Sequence, residues 1–242
     1  MKKKIVSLCL VVALLAVAIA GATLAYFTDT DEALNTMTVG KVDITQNEQE
    51  RDANGNLVPF TQDKPLVPFV GDIAWSDSPV TIGGVEQKTF AMNNVIDKFV
   101  NVSNVGKTDA WIRTIIAMEA PDGFNDDLLG VNVCDDYAVQ SPWAYYYIDG
   151  TRYVVSVFTY NDALAAGKDS AVSLAQIYLS KVATNEDVEL LGNTFEVLAL
   201  TQAVQKDGFA DATTGLDEAF GPINADNINA WMTPIAQQNT NP

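Results

Sequence analysis

The stretch WIRTIIAM, residues Trp111–Met118, decides the fold of this 242-residue chain. It combines an aromatic residue with several β-branched residues, and both types fit the pleated surface of a sheet. Apolar side chains occupy both of its alternating faces, whereas a strand with one solvent-exposed face alternates between apolar and polar residues. The stretch therefore predicts the central strand of a sheet.

Further strands and turns surround this segment. An Asp-Gly dipeptide at 149–150 separates Trp143–Tyr147 from Thr151–Tyr160, and this arrangement predicts a β-hairpin. Apolar residues also recur at even spacing from Ile96, and the polar residues 104–109 then supply a turn. The remaining predicted elements are strands at Ala171–Val182 and Thr194–Gln205, with an acidic turn at Thr184–Glu189 between them.

The end of the chain is predicted to be helical. Ala210–Phe220 has an apolar stripe at helical spacing and is followed by a Gly-Pro stop. One more helical turn is predicted at Asp226–Met232. Short strands separated by turn signals, with one short late helix and no βαβ pattern, indicate an all-β fold. We therefore expect an antiparallel β-sandwich with Greek-key or jelly-roll connections.

The sequence predicts an export signal followed by one domain. Residues 1–25 begin with a basic run, continue into an apolar segment and end in small residues, as a cleavable signal helix does. The small side chains of Thr23 and Ala25 place the cleavage before Tyr26. Residues 26–242 are then expected to form a single β-sandwich domain. Its two special regions are an irregular insertion rich in Pro and Gly at 46–95 and a helical C-terminal cap at 206–242.

A short β-rich segment follows the predicted cleavage site. Asn35–Ile44 is rich in strand-forming residues, Thr36–Gln46 alternates as one strand does, and Gly40 in the middle indicates a bulge or a close backbone approach. A strand just behind a new amino terminus can leave its own sheet and pair with another copy. We therefore predict an assembly strand, whose key residues are Met37, Val39, Gly40, Val42 and Ile44.

The same N-terminal pattern resembles a known family. Lys2-Lys3-Lys4, the apolar run that leads to Ala25-Tyr26-Phe27-Thr28-Asp29-Thr30, and Val39-Gly40-Lys41-Val42-Asp43 carry the resemblance. They resemble the SipW-type export signal of the TasA/camelysin family of secreted Gram-positive matrix proteins. Weaker resemblances follow at Val100–Arg113 and Ala203–Phe209. The resemblance implies a SipW-like signal peptidase as an export partner, a β-sandwich, and a location in the extracellular matrix or at the cell surface.

Two functions compete on these observations. The leading one is a structural protein of a biofilm or surface matrix, a homo-oligomer that forms fibres by donating its N-terminal strand to the next copy. The alternative is a monomeric cell-surface module that binds a glycan or a protein partner through the insertion and the aromatic residues. Those aromatic residues also suit ordinary cross-strand packing; they are Trp143, Tyr145, Tyr146, Tyr147 and Tyr153.

Composition argues against several other functions. The chain has 14 basic and 31 acidic residues, and removal of three lysines with the signal lowers its formal charge from −17 to −20. Such a surface repels nucleic acid and anionic lipid, so we expect neither as a partner and no membrane attachment after processing. The chain has no histidine, which Ser/His/Asp and Cys/His systems and the HExxH zinc site all require. We therefore expect no enzymatic activity, no metal site and no cofactor.

Three minor features leave alternatives open. The Asp52–Asn56 segment predicts a hairpin turn and also loosely resembles the start of a calcium loop. The acidic residues Asp29, Asp31 and Glu32 fit either a solvated arm or a cation site. Cys134 is the one cysteine that remains after signal removal, and it fits a buried thiol or an intermolecular link.

Overall fold

A computed structural model describes residues 35–62, 64–133, 138–140 and 143–240. The helices in these ranges are α1 (Asn185–Leu191), α2 (Ala212–Phe220) and α3 (Ala225–Thr240), with a 3-10 turn at Asp126–Leu128. The strands are β1 (Thr36–Val39), β2 (Ile44–Arg51), β3 (Leu57–Pro59), β4 (Val80–Ile82), β5 (Val85–Gln87), β6 (Ile96–Asn104), β7 (Ala110–Glu119), β8 (Leu129–Asn132), β9 (Ala138–Gln140), β10 (Ala144–Ile148), β11 (Thr151–Tyr160), β12 (Leu174–Leu179) and β13 (Val197–Gln205).

Two sheets pack face to face and confirm the predicted β-sandwich. The first has the order β1-β13-β7-β11-β10, with β9 also paired to β11. The second has the order β3-β2-β6-β12-β8, and β4 and β5 form a separate hairpin. Among the described strands, β1 and β13 are the parallel pair, and the other pairs are antiparallel. The turn at 104–109 joins β6 to β7, which lie in different sheets, so the chain crosses the sandwich there.

The strand β7 occupies the centre of the six-stranded sheet, between β13 and β11, as its sequence predicts. Ile116 and Met118 face the five-stranded sheet and belong to the core between the sheets. Ile115 and Ala117 point the opposite way and pack beneath Met232 of α3. The apolar residues on both faces of β7 therefore each have a packing partner, because helices cover the outer face of this sheet.

The helices agree with the predictions in part. The predicted late helix is confirmed as α2, whereas the single turn expected at 226–232 is the sixteen-residue helix α3. The acidic turn expected at 184–189 was wrong, because this segment begins α1. The hydroxyl of Thr184 accepts a hydrogen bond from the backbone N–H of Asp187, whose carboxylate accepts one from the backbone N–H of Thr184. This reciprocal pair is a capping box, which starts a helix rather than a turn.

Residues 46–95 contain more regular structure than an irregular insertion implies. Residues 46–51 belong to β2. The chain then turns at Asn54-Gly55 into β3, and the two strands form the predicted hairpin. The β4–β5 hairpin then places Ile82 against Phe99 on the outer face of the five-stranded sheet. The insertion therefore covers a sheet face. No helix in the described ranges is long and apolar enough to cross a membrane.

Replacement of Ile116 tests the importance of the core between the sheets. Ile116 is fully buried in this core, so Ile116→Ala should lower the free energy of unfolding by about 2–5 kcal/mol through lost burial and a residual cavity. Urea denaturation measures this change. The control Val182→Ala removes an exposed side chain and should stay within about 0.5 kcal/mol of the parent. Equal losses in both variants would contradict the assigned core.

Candidate functional site

The first described strand lies at an open edge of the six-stranded sheet. β1 has only four residues and pairs in parallel with β13, in a register that runs from Thr36 opposite Thr201 to Val39 opposite Val204. The N–H of Thr201 also donates to the carbonyl of Asn35, with an N–O distance of 2.9 Å. Because β1 ends the strand order, its other edge has no strand partner among the described residues. An edge of this kind can exchange or accept a strand.

The five predicted assembly residues do not form one continuous strand. Met37 and Val39 lie on β1, whereas Ile44 begins β2 in the opposite sheet and Val42 lies in the connection. The predicted single strand over 35–44 was therefore wrong. The apolar residues continue in sequence across Gly40, so the alternation hides the point at which the chain changes sheets.

Gly40 forms the corner between the two sheets. Its φ is +94°, a backbone conformation that side chains with L chirality rarely adopt. A Cβ at this position would lie 3.0 Å from Oε1 of Gln205 on β13, so the side chain of Gln205 lies close to the glycine. Beyond the corner, Val42 and Ile44 are only 4% and 3% exposed and pack between the sheets. Gly40 therefore separates a small edge strand from a firmly buried segment.

The two faces of β1 have different environments. Met37 packs with the residues beneath α3, and Val39 packs with those beneath α2. Because side chains alternate along a strand, Thr36 and Thr38 point to the interior between the sheets. Thr38 is nearly buried, at 9% exposure. The site therefore accepts apolar side chains on its outer face and small polar side chains on its inner face.

A buried polar network forms the inner wall of this site. Gln46 of β2 donates through Nε2 to the carbonyl of Ala199, at 3.1 Å, and accepts through Oε1 from the hydroxyl of Thr201, at 2.7 Å. The hydroxyl of Thr114 lies 3.1 Å from that of Thr201. These bonds join the two sheets next to β1 and satisfy side chains that would be costly to bury unpaired.

A buried ion pair lies at the beginning of β1. The ammonium of Lys98 is fully buried, donates to the carboxylate of Glu48 and lies 3.8 Å from the ring centre of Phe60. The amide of Asn35 donates to the same carboxylate, with an N–O distance of 3.5 Å. Burial lowers the pKa of Lys98, and the charge and hydrogen bond of Glu48 oppose this shift. The start of β1 therefore contacts a charged pair in the sandwich interior.

A second buried charge connects the outer wall to the helices. Arg113 of β7 donates to Oε1 of Gln202 at 2.6 Å, to Oδ1 of Asp217 on α2 at 2.6 Å and to the carbonyl of Gly221 at 2.9 Å. Burial lowers the pKa of Arg113, and Asp217 opposes this shift. The amide of Gln202 in turn lies 3.6 Å from the sulfur of Met37. Gln202, which accepts a hydrogen bond from Arg113 beneath α2, thus also contacts the side chain of Met37 on β1.

Other predicted residues lie outside the site or outside the described ranges. Within those ranges, no group of three or more His, Cys, Asp and Glu side chains could hold a metal ion. Asp52 of the calcium-like segment accepts hydrogen bonds from the backbone of Asn54 and Asn56, which lower its pKa. The predictions that fall outside the described residues concern Thr23, Ala25, Tyr26, Asp29, Asp31, Glu32 and Cys134.

The aromatic residues of the β10–β11 hairpin pair across the two strands, with Tyr146 opposite Tyr153. Tyr145 and Tyr147 are about half exposed, and their hydroxyls donate to Asp126 and Asp122. These phenols are therefore already hydrogen-bonded within the chain. Cross-strand packing, one of the two alternatives for this cluster, accounts for the arrangement.

Comparison with known families confirms the resemblance to the TasA/camelysin family. Residues 1–59 match the model of a family described as camelysin metallo-endopeptidase, which is the TasA/camelysin family. The match includes the predicted signal, β1, the Gly40 corner, β2 and β3, and it covers about a quarter of the chain. No curated protein matches the chain. The candidate site therefore combines a strand from the matched segment with β13, α2 and α3 from the rest.

Removal of one partner from the buried ion pair should be strongly destabilising. Glu48→Gln leaves the ammonium of Lys98 buried without a carboxylate, and we expect a loss of about 3–5 kcal/mol in the free energy of unfolding at neutral pH. Burial lowers the pKa of Lys98 in the folded state, and the variant lacks the charge and hydrogen bond of Glu48 that oppose this shift, so its folded-state pKa falls further than in the parent. The unfolded state then binds more protons than the folded variant up to the unfolded pKa of about 10.4, and the loss relative to the parent should decrease as the pH rises toward that value.

Urea denaturation of a double-mutant cycle with Lys98→Met provides the check. The double variant buries neither charge and should recover most of the lost stability. Lys181→Met removes an exposed ammonium paired with Asp72 and serves as the control, for which little change is expected. A Glu48→Gln variant as stable as this control would show that Lys98 does not need its carboxylate partner.

Proposed function

We propose that this chain is a structural protein of an extracellular matrix that forms fibres when β1 moves from one copy to the next. The TasA/camelysin match at residues 1–59 supports a secreted matrix-type protein of Gram-positive bacteria. The observation that carries the assembly step is the position of β1. It is a four-residue strand at the edge of the described sheet, and the corner at Gly40 connects it along the chain to β2.

Strand exchange would replace each contact of β1 with the same contact in a neighbour. A donated β1 offers the same backbone groups to β13, the same apolar side chains to the helices and the same threonines to the interior. The donor and the acceptor surfaces are different parts of the molecule, so the contact is head-to-tail and does not close on itself. Repetition of such a contact gives a filament.

The burial of Val42 and Ile44 supports a mobile segment that is shorter than residues 35–44. Val42 and Ile44 are buried between the sheets of their own copy, so their withdrawal would expose core surface. Met37 and Val39 belong to an edge strand that, among the described residues, pairs with β13 alone. We therefore place the hinge at Gly40, with the residues before it exchanged and the residues after it retained. Export cleavage would control this step, because an uncleaved arm stays attached to its signal segment.

A structural role is also favoured over peptidase activity. The matched family is described as a metallo-endopeptidase. However, this chain contains no histidine, so it cannot form the HExxH motif, in which two histidines bind zinc. The matched residues 35–59 supply strands and a turn, and their carboxylates at Asp52 and Glu48 are engaged in hydrogen bonds within the chain. We therefore assign this segment to assembly.

A disulfide that fixes β1 to its own sheet tests the exchange. Thr38 and Ala203 are register partners on adjacent strands, and such strands lie about 4.8 Å apart, within disulfide reach. In a Cys134→Ser background, Thr38→Cys with Ala203→Cys should block fibres when oxidised and restore them after reduction. Electron microscopy and sedimentation measure both states.

The control for this lock joins β10 to β11 through Ala144→Cys and Val155→Cys, which are also register partners. This bond should leave assembly unchanged, because neither strand is proposed to move. Fibres from the oxidised Thr38–Ala203 lock would rule out exchange of β1. A chain without residues 26–39 should likewise form no fibres.

Ionic strength should control the rate of assembly. Copies that carry about −20 each repel one another, and the screening length falls from about 30 Å at 0.01 M salt to about 8 Å at 0.15 M. We therefore expect light scattering to rise faster at the higher salt concentration. Glu186→Gln with Glu189→Gln, on the exposed side of α1, should speed assembly at low salt. The fastest assembly at the lowest ionic strength would contradict this mechanism.

A further inference from the structure

A cleft in the insertion lies away from β1 and is lined by aromatic and charged side chains. It has a volume of about 490 Å³ and is open to solvent along one side of the β4–β5 hairpin. None of its residues lies within the matched segment 1–59. The lining residues are Trp75, Ser76, Asp77, Pro79, Glu86 and Lys88.

The indole of Trp75 is held in a fixed position although it is 54% exposed. It stacks on Phe90, with ring centres 4.3 Å apart and an interplanar angle of 27°, and Phe90 in turn meets the edge of Tyr178. The backbone is fixed as well, because the N–H of Ser76 donates to the carbonyl of Thr89 at 2.7 Å. The part of the Trp75 indole that Phe90 does not cover therefore lines the cleft.

Three charged side chains line the same cleft as this indole. Asp77, Glu86 and Lys88 are exposed, and their side chains form no ion pair or hydrogen bond with the described part of the chain. By contrast, the carboxylates of Asp122 and Asp126 accept hydrogen bonds from the hydroxyls of Tyr147 and Tyr145. The cleft thus offers two carboxylates and one ammonium to a ligand beside an apolar ring.

We propose that this cleft binds a neutral polysaccharide. A sugar ring has an apolar face of C–H groups that packs on an indole, and a rim of hydroxyls that both donate and accept hydrogen bonds. Those hydroxyls match the carboxylates of Asp77 and Glu86 and the ammonium of Lys88 without leaving a buried charge unpaired. The net negative charge of the cleft and of the chain disfavours an anionic polymer.

A protein partner fits the cleft less well. A protein interface excludes water from its centre, and it would have to compensate three unpaired charges around Trp75. A sugar leaves these charges partly hydrated and still contacts the ring. The proposed ligand differs from the strand that occupies the β1 site, so a fibre built by strand exchange would display one such cleft on each copy.

Isothermal titration calorimetry on residues 26–242, the predicted mature chain, tests the proposal. The ligands are chitohexaose, cellohexaose and a galacturonic acid hexamer. We expect at least one of the two neutral sugars to bind at one site per chain and the anionic hexamer to bind more weakly. Trp75→Ala should reduce the affinity at least tenfold, and Trp75→Phe should reduce it less because a flat ring remains. Asp77→Ala provides a second variant at an exposed position, with an expected loss of several-fold.

The control variant is Tyr147→Ala, which removes an aromatic side chain of similar exposure outside the cleft. It should bind the neutral sugar as the parent does, and circular dichroism confirms the fold of each variant. Failure of both neutral sugars to bind, tighter binding of the anionic hexamer, or unchanged binding by both Trp75→Ala and Asp77→Ala would overturn the proposal. If Trp75→Ala instead slowed fibre formation and the parent bound no sugar, the cleft would be a contact between copies.

Discussion

The six-stranded sheet is buried on both faces, and the rest of the architecture follows from this constraint. β7 and β13 carry apolar residues on both sides, so one sheet face requires the second sheet and the other requires α2 and α3. The one charged side chain in the middle of β7, Arg113, is then enclosed beneath the helices. It is compensated by Gln202, Asp217 and the carbonyl of Gly221. The same residues form the outer wall of the β1 site, so the helical cap and the edge strand depend on one packing arrangement.

Several elements were predictable because their signals lie in a few consecutive residues. The apolar stretch Trp111–Met118 identified the central strand, and Asp149-Gly150 identified the hairpin between β10 and β11. Thr184 and Asp187 also form a local signal, a capping box, and the start of α1 was predictable from these two residues. The acidic residues of this segment are also typical of a turn, and the predicted turn was wrong because the capping box begins a helix.

Other features depend on contacts between distant parts of the chain. The length of α3 is one example, because its second half contains Pro234 and several amides, which argue against a helix until Ile235 and Ala236 pack on the sheet. The Gly40 corner is another, since only the pairing of β1 with β13 shows that the chain changes sheets there. Likewise, nothing near Lys98 in sequence identifies Glu48, fifty residues earlier, as its partner. The sequence therefore indicated a strand near residues 36–39, but neither its end at Gly40 nor the residues that surround it were predictable.

The position of β1 in the chain is also the reason that we propose exchange at this edge rather than at another. β10 and β3 are edge strands too, but each is held to its neighbour by a tight hairpin, and β8 has chain on both sides that belongs to the sandwich. β1 is the first described strand, and the chain continues from it to β2 through the corner at Gly40. Its withdrawal breaks one strand pairing and the contacts of Asn35, Met37 and Val39, and a neighbour's β1 would restore the same set. The proposed exchanged form would contain the same local bonds as the single copy, so conformational entropy, charge repulsion and new contacts between copies would decide which form prevails.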